Sequence, residues 1–394
     1  MDLLELMARA PGAPTVLDAL GDEPDVHIVG GAVRDALLGA VPRELDLVVE
    51  GDAVAVAQRA AERLGGELVV HDRFGTATVR APSATFDVVS ARTETYAHPG
   101  ALPDVAPGAT IEQDLARRDF TVNAIALRLA DGAITEWPGA REDVAAGVLR
   151  VLHERSFIDD PTRLLRMARY GARLGFEPDP ETDALAAAAT VATVSGGRLG
   201  SELRLLLREP QPAALLALER HGLGRAVVHP AFRADAELIE RTWALCPPDA
   251  RAGLAILAGT LTRAADGLRA ALDRLEFEAS ARGVVLEAAG APLLAEQLAA
   301  ADGDDAALWR AARRAGPEAV ALAGALGPER EARRWLDDVR HRRLAITGDD
   351  FVAAGLTGPA VGDALEAAQL ALLGGGAPGA AEQLAAGLAA VRPS

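Results

Sequence analysis

Residues 27–51 constrain the fold of this chain more than any other part of its sequence. They contain a short apolar run, the glycine pair Gly30 and Gly31, a segment with helical spacing and a second apolar run. A Gly-Gly turn lets the backbone approach a bulky ligand, and a helix N-terminus presents free N–H groups and a positive dipole. We therefore predict a phosphate cradle at the two glycines, with Arg34 of the first helical turn as a further donor.

Two carboxylates, Glu44 and Asp46, lie two residues apart in the segment ELDLVVEG. Because strand side chains alternate between faces, we predict that both point to one face of the second strand while Leu45 and Leu47 face the core. Mg²⁺ binds one or two protein carboxylates together with substrate phosphates, and a pair of metal ions can hold the attacking and leaving oxygens of a nucleotidyl transfer. Alone, each pattern is usually an ordinary turn or a solvated strand face, but in this order they indicate nucleotide chemistry.

The segment GGAVRDALLG followed by ELDLVVEGD resembles the signature of the class II tRNA nucleotidyltransferase (CCA-adding enzyme) and bacterial poly(A) polymerase family, a branch of the DNA polymerase β superfamily. The resemblance implies a five-stranded, polymerase β-like α/β nucleotidyltransferase head followed by an all-α neck, body and tail. We expect the head at residues 1–140, a neck with base-recognising helices at 141–210, and an RNA-binding helical body and tail at 211–394.

The family usually has Asp-x-Asp where this chain has Glu44 and Asp46. Glutamate keeps the charge and the ligand atoms but adds a methylene, and archaeal class I relatives resemble this chain in using Glu-x-Asp. We interpret Glu44 as a tolerated change and predict that both acids bind metal. Polymerase β-like sites commonly take a third acid from a neighbouring strand, and Asp87 in FDVVSART is the candidate, to bind metal or accept the proton of the attacking hydroxyl. The alternative for Asp87 is a solvent-facing strand acid.

The segment DLARRDFTVNAIAL resembles the family's RRD motif followed by a strand. Arg117, Arg118 and Asp119 offer donors for a triphosphate or for ribose hydroxyls, and an acceptor for the 2′-OH that distinguishes ribonucleotides. Such a triad alone is usually a surface ion pair. After the metal-binding pair, we interpret it as a ribose- and triphosphate-binding motif.

A basic helix is predicted in SFIDDPTRLLRMARYGARLGF, where Asp160 precedes Pro161 and should cap a helix that begins at the proline. At 3.6 residues per turn, its arginines fall on one side and its leucines and alanines on the other. An arginine face is usually solvated, and we assign Arg173 to that role. The arginines of this face are Arg163, Arg166, Arg169 and Arg173.

The start of this helix also resembles the family's EDxxR motif, with Asp159 in place of Glu. The resemblance implies that Asp160 and Arg163 read the Watson–Crick edge of the incoming base, so that the protein acts as template, and that Arg166 and Arg169 help to bind the nucleotide. A carboxylate accepts from an exocyclic amine, and a guanidinium donates to ring nitrogens and carbonyls.

Composition removes several function classes. All 40 basic residues are arginine, because the chain has no lysine, so P-loop, Schiff-base and ligase lysines are excluded. The net charge of −17 argues against a general nucleic-acid coat, and any RNA site must be a local arginine patch. A single cysteine, Cys246, excludes an internal disulfide. With no long apolar run and an acidic N-terminus, we expect a cytoplasmic protein without membrane segments.

Three further predictions concern secondary structure. Residues 52–64 should form a helix capped by Asp52 and ended by Gly65. Residues 94–113, rich in Pro and Gly, should form the longest irregular stretch of the head, and the family associates a loop at this place with adding the terminal A. From residue 177 onward the alanine-rich sequence predicts one helix after another.

Together these features predict a Mg²⁺-dependent enzyme of the two-metal type that adds CCA to the tRNA 3′ end from CTP and ATP without a nucleic-acid template. A CC-adding or A-adding specialist and a poly(A) polymerase share every motif and remain alternatives. An RNA-binding protein that has lost catalysis is the alternative from another class, and Glu44 is its only support.

Overall fold

A mixed sheet of seven strands is the centre of the first half of the chain, in the computed structural model, which describes residues 3–71, 75–209, 213–264 and 266–391. The strands of the chain are β1 (Val26–Val29), β2 (Leu47–Val49), β3 (Glu67–His71), β4 (Thr76–Ala81), β5 (Ala84–Ser90), β6 (Arg92–Thr95), β7 (Asp104–Pro107), β8 (Ile125–Arg128), β9 (Ile134–Glu136), β10 (Val148–Leu149) and β11 (Glu177–Pro178). The order in the large sheet is β3-β4-β5-β2-β1-β8-β9. Its strand pairs are antiparallel except β2 with β5.

The sheet has seven strands, two more than the five expected for the head. β8 is the strand expected after the RRD motif, whereas β9 is only 3 residues long and its sequence offers little alternation to recognise. The helices around the sheet are α1 (Leu3–Met7), α2 (Ala13–Leu20), α3 (Gly31–Leu37), α4 (Ala53–Leu64), α5 (Ile111–Ala116) and α6 (Ala140–Ala146).

Helix α4 confirms the prediction made for residues 52–64. The Asp52 side chain accepts a hydrogen bond from the Ala55 N–H at 3.1 Å, and Gly65 ends the helix in the left-handed conformation at φ 60°. The buried face of α4 carries small side chains, Val56, Ala57 and Ala60, which let the helix lie close to the sheet. Local signals determined this element completely.

The stretch predicted to be irregular contains regular structure. Strands β6 and β7 pair as an antiparallel hairpin from Arg92 opposite Pro107 to Thr95 opposite Asp104, and α5 begins at Ile111 behind a capping box formed by Thr110 and Gln113. The prediction for residues 94–113 therefore holds only for residues 96–103 and 108–110, which lie outside any helix or strand. The short strands of this hairpin are stabilised by pairing with each other, so their sequence pattern alone does not reveal them.

The neck helices are α7 (Ser156–Asp159), α8 (Arg163–Leu174), α9 (Pro180–Ala188) and α10 (Gly196–Leu206). Helix α8 begins at Arg163 rather than at the predicted Pro161. Asp160 nevertheless satisfies the turn that opens it, because its carboxylate accepts from the Thr162 N–H at 3.1 Å and from the Thr162 hydroxyl at 2.7 Å. The pairing of β10 with β11 adds two short strands to an otherwise helical region.

The chain divides into two compact units, residues 1–202 and 203–394. In the described residues of the second unit, every regular element is a helix, as predicted. Its α-helices are α11 (Ala213–Arg220), α12 (Ala236–Leu245), α13 (Ala252–Gly259), α14 (Leu268–Arg274), α15 (Ala279–Ala288), α16 (Ala291–Ala299), α17 (Asp305–Ala312), α18 (Pro317–Ala325), α19 (Glu329–Asp337), α20 (Gly348–Ala353), α21 (Pro359–Leu373) and α22 (Ala380–Val391). The fold class is thus confirmed, while the three-part boundaries at 140 and 210 stay a prediction. Among the described helices, none has both the length and the apolar character needed to cross a bilayer.

Candidate active site

The turn between β1 and α3 has the geometry expected of a close backbone approach. Gly30 adopts φ 68°, a conformation that glycine tolerates best, and its N–H donates to the Ile125 carbonyl at 2.9 Å. A Cβ atom on Gly30 would lie 2.7 Å from Nη1 of Arg118. The turn therefore needs glycine at this position both for its backbone angle and for the space that Arg118 occupies.

Arg34 lies in the wall of the site rather than free in it. The side chain is 2% exposed, and its guanidinium donates to Oδ1 of Asn123 at 2.5 Å and to Oδ1 of Asp35 at 2.7 and 2.9 Å. It also lies 5.6 Å from the centre of the Tyr170 ring. The guanidinium of Arg34 thus already has two hydrogen-bond partners, Asn123 and Asp35. A direct contact between Arg34 and phosphate stays a prediction.

The prediction that a strand carries both acids was wrong, because β2 begins at Leu47: Asp46 directly precedes it, and Glu44 lies in a bend three residues before it. The Val29 N–H donates to the Asp46 carbonyl at 3.0 Å, so the backbone pairing continues to Asp46. Although solvent reaches both residues, partial desolvation and then the charge of Glu44 raise the pKa of Asp46, against the opposing charge of Arg118. The two carboxylates are therefore close enough to repel each other and to favour a bound cation.

Asp87 on β5 lies beside Asp46. Leu47 pairs with Val88 in the parallel ladder, which places the preceding residues, Asp46 and Asp87, next to each other. The charge of Asp87 is a further cause of the raised pKa of Asp46, and the Thr78 hydroxyl donates to Asp87 at 2.6 Å. Asp87 lines a cavity of about 560 Å³ that is also lined by Glu44 and Asp46.

The donor set fits a cation bound by two carboxylates. Among the described residues, no group of three His, Cys, Asp or Glu side chains is arranged to hold a metal ion. Mg²⁺ commonly takes only one or two protein carboxylates and completes its shell with phosphate oxygens and water. Glu44 and Asp46, with their mutual repulsion, match that requirement.

A second cavity, of about 620 Å³, brings most of the predicted site residues together. Of the residues lining it in the described structure, nine are arginines and six are acids, so the cavity wall is formally positive in a chain of net charge −17. Gly30 and Asp87 are the predicted residues outside this lining. The predicted residues inside it are Gly31, Arg34, Glu44, Asp46, Arg117, Arg118, Asp119, Asp160, Arg163, Arg166 and Arg169.

The two arginines of the RRD triad are held by acids. Asp114 is fully buried and lies 2.8 Å from Arg117 and 3.0 Å from Arg118, and Arg117 also lies 2.9 Å from Glu94. Burial alone would raise the pKa of Asp114, but the charges and hydrogen bonds of the two arginines outweigh it, so the pKa is lowered. Burial and then the Glu94 charge raise the pKa of Tyr96 to about 12, and its hydroxyl donates to Glu94 at 3.1 Å.

The acid of the triad, Asp119, is 4% exposed. Its Oδ1 accepts from the Phe120 N–H at 2.8 Å and from the Asn123 amide at 2.9 Å, while its Oδ2 lies 2.8 Å from Nη2 of Arg166. Burial would raise the pKa of Asp119, but Arg166 and these hydrogen bonds lower it. Because Asn123 also accepts from Arg34, Asp119 is linked to Arg34 through one amide.

Both residues predicted to read the base are fixed by protein contacts. Oδ1 of Asp160 accepts from Nη2 of Arg198 at 2.8 Å as well as from Thr162. Arg163 is 4% exposed and donates to the Ser156 hydroxyl at 2.6 Å and to the Arg117 carbonyl at 2.7 Å. These bonds restrict both side chains to one orientation at the cavity wall.

The remaining arginines of α8 surround Tyr170. Arg169 lies 4.9 Å from the centre of its ring, and Arg166 lies 3.4 Å from its hydroxyl. The interpretation of Arg173 as solvated was wrong, because it is 24% exposed, lies 3.3 Å from Asp35 and lines the same cavity. The helical periodicity had placed Arg173 on the correct face but could not show that Asp35 packs against that face.

Sequence reasoning missed several residues that support the site. Glu94, Asn123 and Tyr170 belong to no recognised spacing and are recruited from separate elements. Two others lie in the segment SGGRLGSELRLLL, which loosely resembles the family's neck region: Arg198, which contacts Asp160, and Glu202, which lies 3.7 Å from Arg169. Burial raises the pKa of Glu202 against the charges of Arg166 and Arg169.

Comparison with known proteins shows which family and which solved structures the chain is similar to. Residues 26–150 match the poly A polymerase head domain. The chain is 44% identical over 200 residues to the A-adding tRNA nucleotidyltransferase of Halalkalibacterium halodurans, covering 48% of this chain and 47% of that protein. It is 36% identical over 354 residues to the CC-adding tRNA nucleotidyltransferase of Deinococcus radiodurans, covering 88% of this chain and 84% of that protein. The chain spans less than half the length of three A-adding relatives, namely 47%, 28% and 27%.

Solved structures of similar fold cover the whole chain. A CCA-adding enzyme in its apo form II matches with a TM-score of 0.84 at 27% identity, over 99% of both chains. A CCA-adding enzyme in complex with CTP matches with a TM-score of 0.80 at 26% identity, over 100% of this chain and 99% of that one. The Thermotoga maritima CCA-adding enzyme complexed with tRNA matches with a TM-score of 0.78 at 25% identity, over 100% and 99%.

Proposed function

Because this chain belongs to the tRNA nucleotidyltransferase family, whose poly A polymerase head domain it shares, we propose that it completes CCA at the tRNA 3′ end from CTP and ATP, without a nucleic-acid template. The observation that carries the proposal is the cavity in which Glu44 and Asp46 face nine arginines. Carboxylates for a cation and guanidinium groups for a triphosphate are the two requirements of nucleotidyl transfer. Since the proposed substrate is tRNA, we place the reaction in the cytoplasm.

In the proposed reaction, the 3′-OH of the RNA attacks the α-phosphorus of the incoming nucleotide. The new P–O bond forms as the bond to pyrophosphate breaks, and the hydroxyl proton passes to Asp87, which lies next to Asp46 and lines the cavity of about 560 Å³ with it. Arg117 and Arg118 hold the triphosphate and the ribose, fixed in place by Asp114. Glu44 and Asp46 would hold Mg²⁺, which when bound lowers the hydroxyl pKa and neutralises charge on the phosphates.

Base selection is assigned to Asp160 and Arg163. Cytosine and adenine both present an exocyclic amine next to an unprotonated ring nitrogen, whereas uracil and guanine present a carbonyl next to a ring N–H. An acceptor beside a donor therefore suits C and A and opposes U and G. The contacts from Arg198 and Ser156 keep this acceptor and donor in place before any nucleotide binds.

The test uses three tRNA transcripts that end before CCA, after the first C and after CC, each offered CTP, ATP or both with Mg²⁺. Full CCA on the shortest transcript is the expected result. Addition of A only to the CC-ended transcript, or of CC only to the shortest, would make the protein a specialist like the two relatives described above. Long A tails on any RNA would indicate a poly(A) polymerase, and no incorporation would favour an RNA-binding protein without catalysis.

A further inference from the structure

The chain has two tyrosines, and both line the cavity of about 620 Å³. Among the described residues of this lining, Tyr96 and Tyr170 are the only aromatic side chains, and most of the others are arginines and acids. A nucleobase is a flat ring, and aromatic side chains are the surfaces on which proteins commonly stack it. The face of a bound base therefore has two candidate partners in this cavity.

The ring of Tyr170 is already covered. Tyr170 is only 9% exposed, and three guanidinium groups lie around its ring centre, at 4.9 Å for Arg169, 5.6 Å for Arg34 and 6.0 Å for Arg166. At these distances a cation is attracted to the face of the ring. A base would have to displace these arginines to reach Tyr170, so this ring organises the arginines and is not the partner of a base.

Tyr96, by contrast, is partly exposed and is anchored at its hydroxyl. The hydroxyl donates to Glu94 at 3.1 Å. The Glu94 carboxylate is itself fixed, because it lies 2.9 Å from Arg92 and 2.9 Å from Arg117. A hydrogen bond at the tip of the ring restrains the side chain without covering a face of the ring. Such a restraint lowers the entropic cost of binding a flat ligand, since the ring is positioned before the ligand arrives.

Tyr96 also lies beside the pair of residues assigned to base selection. It begins the loop of residues 96–103, which joins β6 to β7. Arg198 connects this loop to Asp160, because it donates to a backbone carbonyl of the loop at 2.7 Å and to the Asp160 carboxylate at 2.8 Å. Burial is the main cause of the raised pKa of Tyr96, and the charges of Arg163 and Asp160 also act on it. Tyr96 and the base-selecting pair therefore lie in one part of the cavity.

We propose that the Tyr96 ring stacks on the face of the incoming cytosine or adenine while Asp160 and Arg163 contact its edge, an inference that rests on the proposed function. Hydrogen bonds to the edge of a base lie in its plane, so they leave its faces to be covered by other groups. Stacking tolerates different bases, since every base has a π-face. Tyr96 therefore supplies affinity that CTP and ATP share, whereas Asp160 and Arg163 supply the selection.

The test measures equilibrium binding to the full chain by isothermal titration calorimetry, with Mg²⁺ and without RNA. The probes are CTP, ATP and inorganic tripolyphosphate, which resembles the phosphates of the nucleotides but has no base. Tyr96→Ala removes the ring, and Tyr96→Phe keeps the ring but removes the hydroxyl. The matched control is His98→Ala, which removes an exposed ring of the same loop that is absent from the lining of the cavity. Circular dichroism melting verifies that each variant is folded.

We expect Tyr96→Ala to bind CTP and ATP at least about fivefold more weakly than the wild type, which is the low end of the loss when a ring stacked on a base is removed. Its affinity for tripolyphosphate should stay within about twofold of the wild type, because the contacts of Glu94 with Arg92 and Arg117 remain. Tyr96→Phe and His98→Ala should bind all three probes within about twofold of the wild type, since neither loses the stacking surface.

Unchanged affinity of Tyr96→Ala for CTP and ATP would overturn the inference, and a raised KM for tRNA in that variant would then place the ring against the RNA end. An equal loss for tripolyphosphate would also overturn it, because Tyr96 would then act by supporting the arginines through Glu94. A loss in Tyr96→Phe as large as in Tyr96→Ala would assign the effect to the hydroxyl and would overturn it as well.

The experiment separates this inference from the proposed function, because binding is measured without RNA. A wild-type protein that binds CTP and ATP through Tyr96 but adds nothing to any transcript would refute the proposed function and leave the stacking role of Tyr96 supported.

Discussion

Asp46 carries an electrostatic cost in the folded protein. Partial desolvation and the neighbouring charges of Glu44 and Asp87 raise its pKa. A carboxyl whose pKa is raised on folding destabilises the native state at any pH at which it is ionised. The site thus keeps three acids together at the expense of stability, as is common where a cation or a proton must be held.

We predict that Asp46→Asn lowers nucleotide incorporation by at least roughly 10²–10³-fold while the melting temperature at pH 7 stays equal or rises. The amide is nearly isosteric but cannot bind Mg²⁺ strongly or repel Glu44. Single-turnover incorporation and thermal melting measure the two effects, with Asp131→Asn as a control at an exposed acid of the same head. Normal incorporation by Asp46→Asn would show that the metal assignment is wrong.

Asp119 shows the opposite balance, because its pKa in the folded protein is lowered below the ordinary 3.8, despite burial, by Arg166 and by hydrogen bonds. The Asp119 carboxylate therefore binds a proton less tightly in the native state than in the unfolded chain. The resulting stabilisation is present above a pH of about 4 and is lost as the pH falls through the folded pKa.

We predict that Asp119→Asn lowers the free energy of unfolding at pH 7 by about 2–4 kcal/mol, because Arg166 loses its partner at a buried position. The difference from the wild type should shrink as the pH falls below 4, where the wild-type carboxyl also becomes protonated. Urea unfolding at several pH values measures this. Adding Arg166→Gln should restore part of the loss, and an equal loss at pH 3 and pH 7 would contradict the ion-pair explanation.

At the scale of elements, the turn from β1 into α3 combines a positive φ at its glycine with close contact to the Arg118 side chain. Gly30 and Gly39, which flank α3, both have a positive φ, of 68° and 79°. A Cβ on Gly30 would meet Arg118 at 2.7 Å, whereas nothing lies within 4 Å of a Cβ on Gly39. Substituting the two glycines therefore separates two costs of adding a side chain: the conformational cost, which both positions share, and the steric cost, which only Gly30 has.

We predict that Gly30→Ala and Gly39→Ala each lower the free energy of unfolding by about 1–2 kcal/mol, because a residue with a Cβ atom disfavours a positive φ. Only Gly30→Ala should also raise KM for CTP, by displacing Arg118 in the cavity. Steady-state kinetics and urea unfolding on the same preparations give both quantities. A similar rise in KM for Gly39→Ala would mean that the helix position, and not Arg118, transmits the effect.

The neck helix α8 shows how one element serves several parts of the site. Its first residue, Arg163, contacts the Arg117 carbonyl, its middle residues surround Tyr170, and its last turn reaches Asp35 through Arg173. Its opposite face buries Leu164 and Leu165. A single amphipathic helix therefore contacts the regions proposed to read the base, bind the ribose and cradle phosphate, so a shift of α8 would disturb all three together.

At the scale of the whole molecule, charge is distributed unevenly. The chain carries a net charge of −17, yet the lining of the cavity of about 620 Å³ has nine arginines against six acids. Long-range repulsion from the acidic surface opposes non-specific RNA binding, while this local cluster of arginines attracts phosphate at a defined place.

The sequence by itself determined the elements that depend on neighbouring residues. The glycine turn, the Asp52 cap and the arginine periodicity of α8 act within a few residues, so their physics is present in the linear order. The pair Glu44 and Asp46 and the RRD triad were recognisable through their resemblance to family motifs. The start of α8 was missed by two residues, because the Asp160 carboxylate first closes a turn with Thr162.

Only the tertiary structure decided which distant residues complete the site. Asn123 accepts a hydrogen bond from Arg34, 89 positions away in the chain, and Asp160 accepts one from Arg198, 38 positions away. Such contacts follow from the arrangement of whole elements, which no local periodicity encodes. Strand β9 is determined in the same way, because so short a strand becomes stable only through the partner that the fold provides.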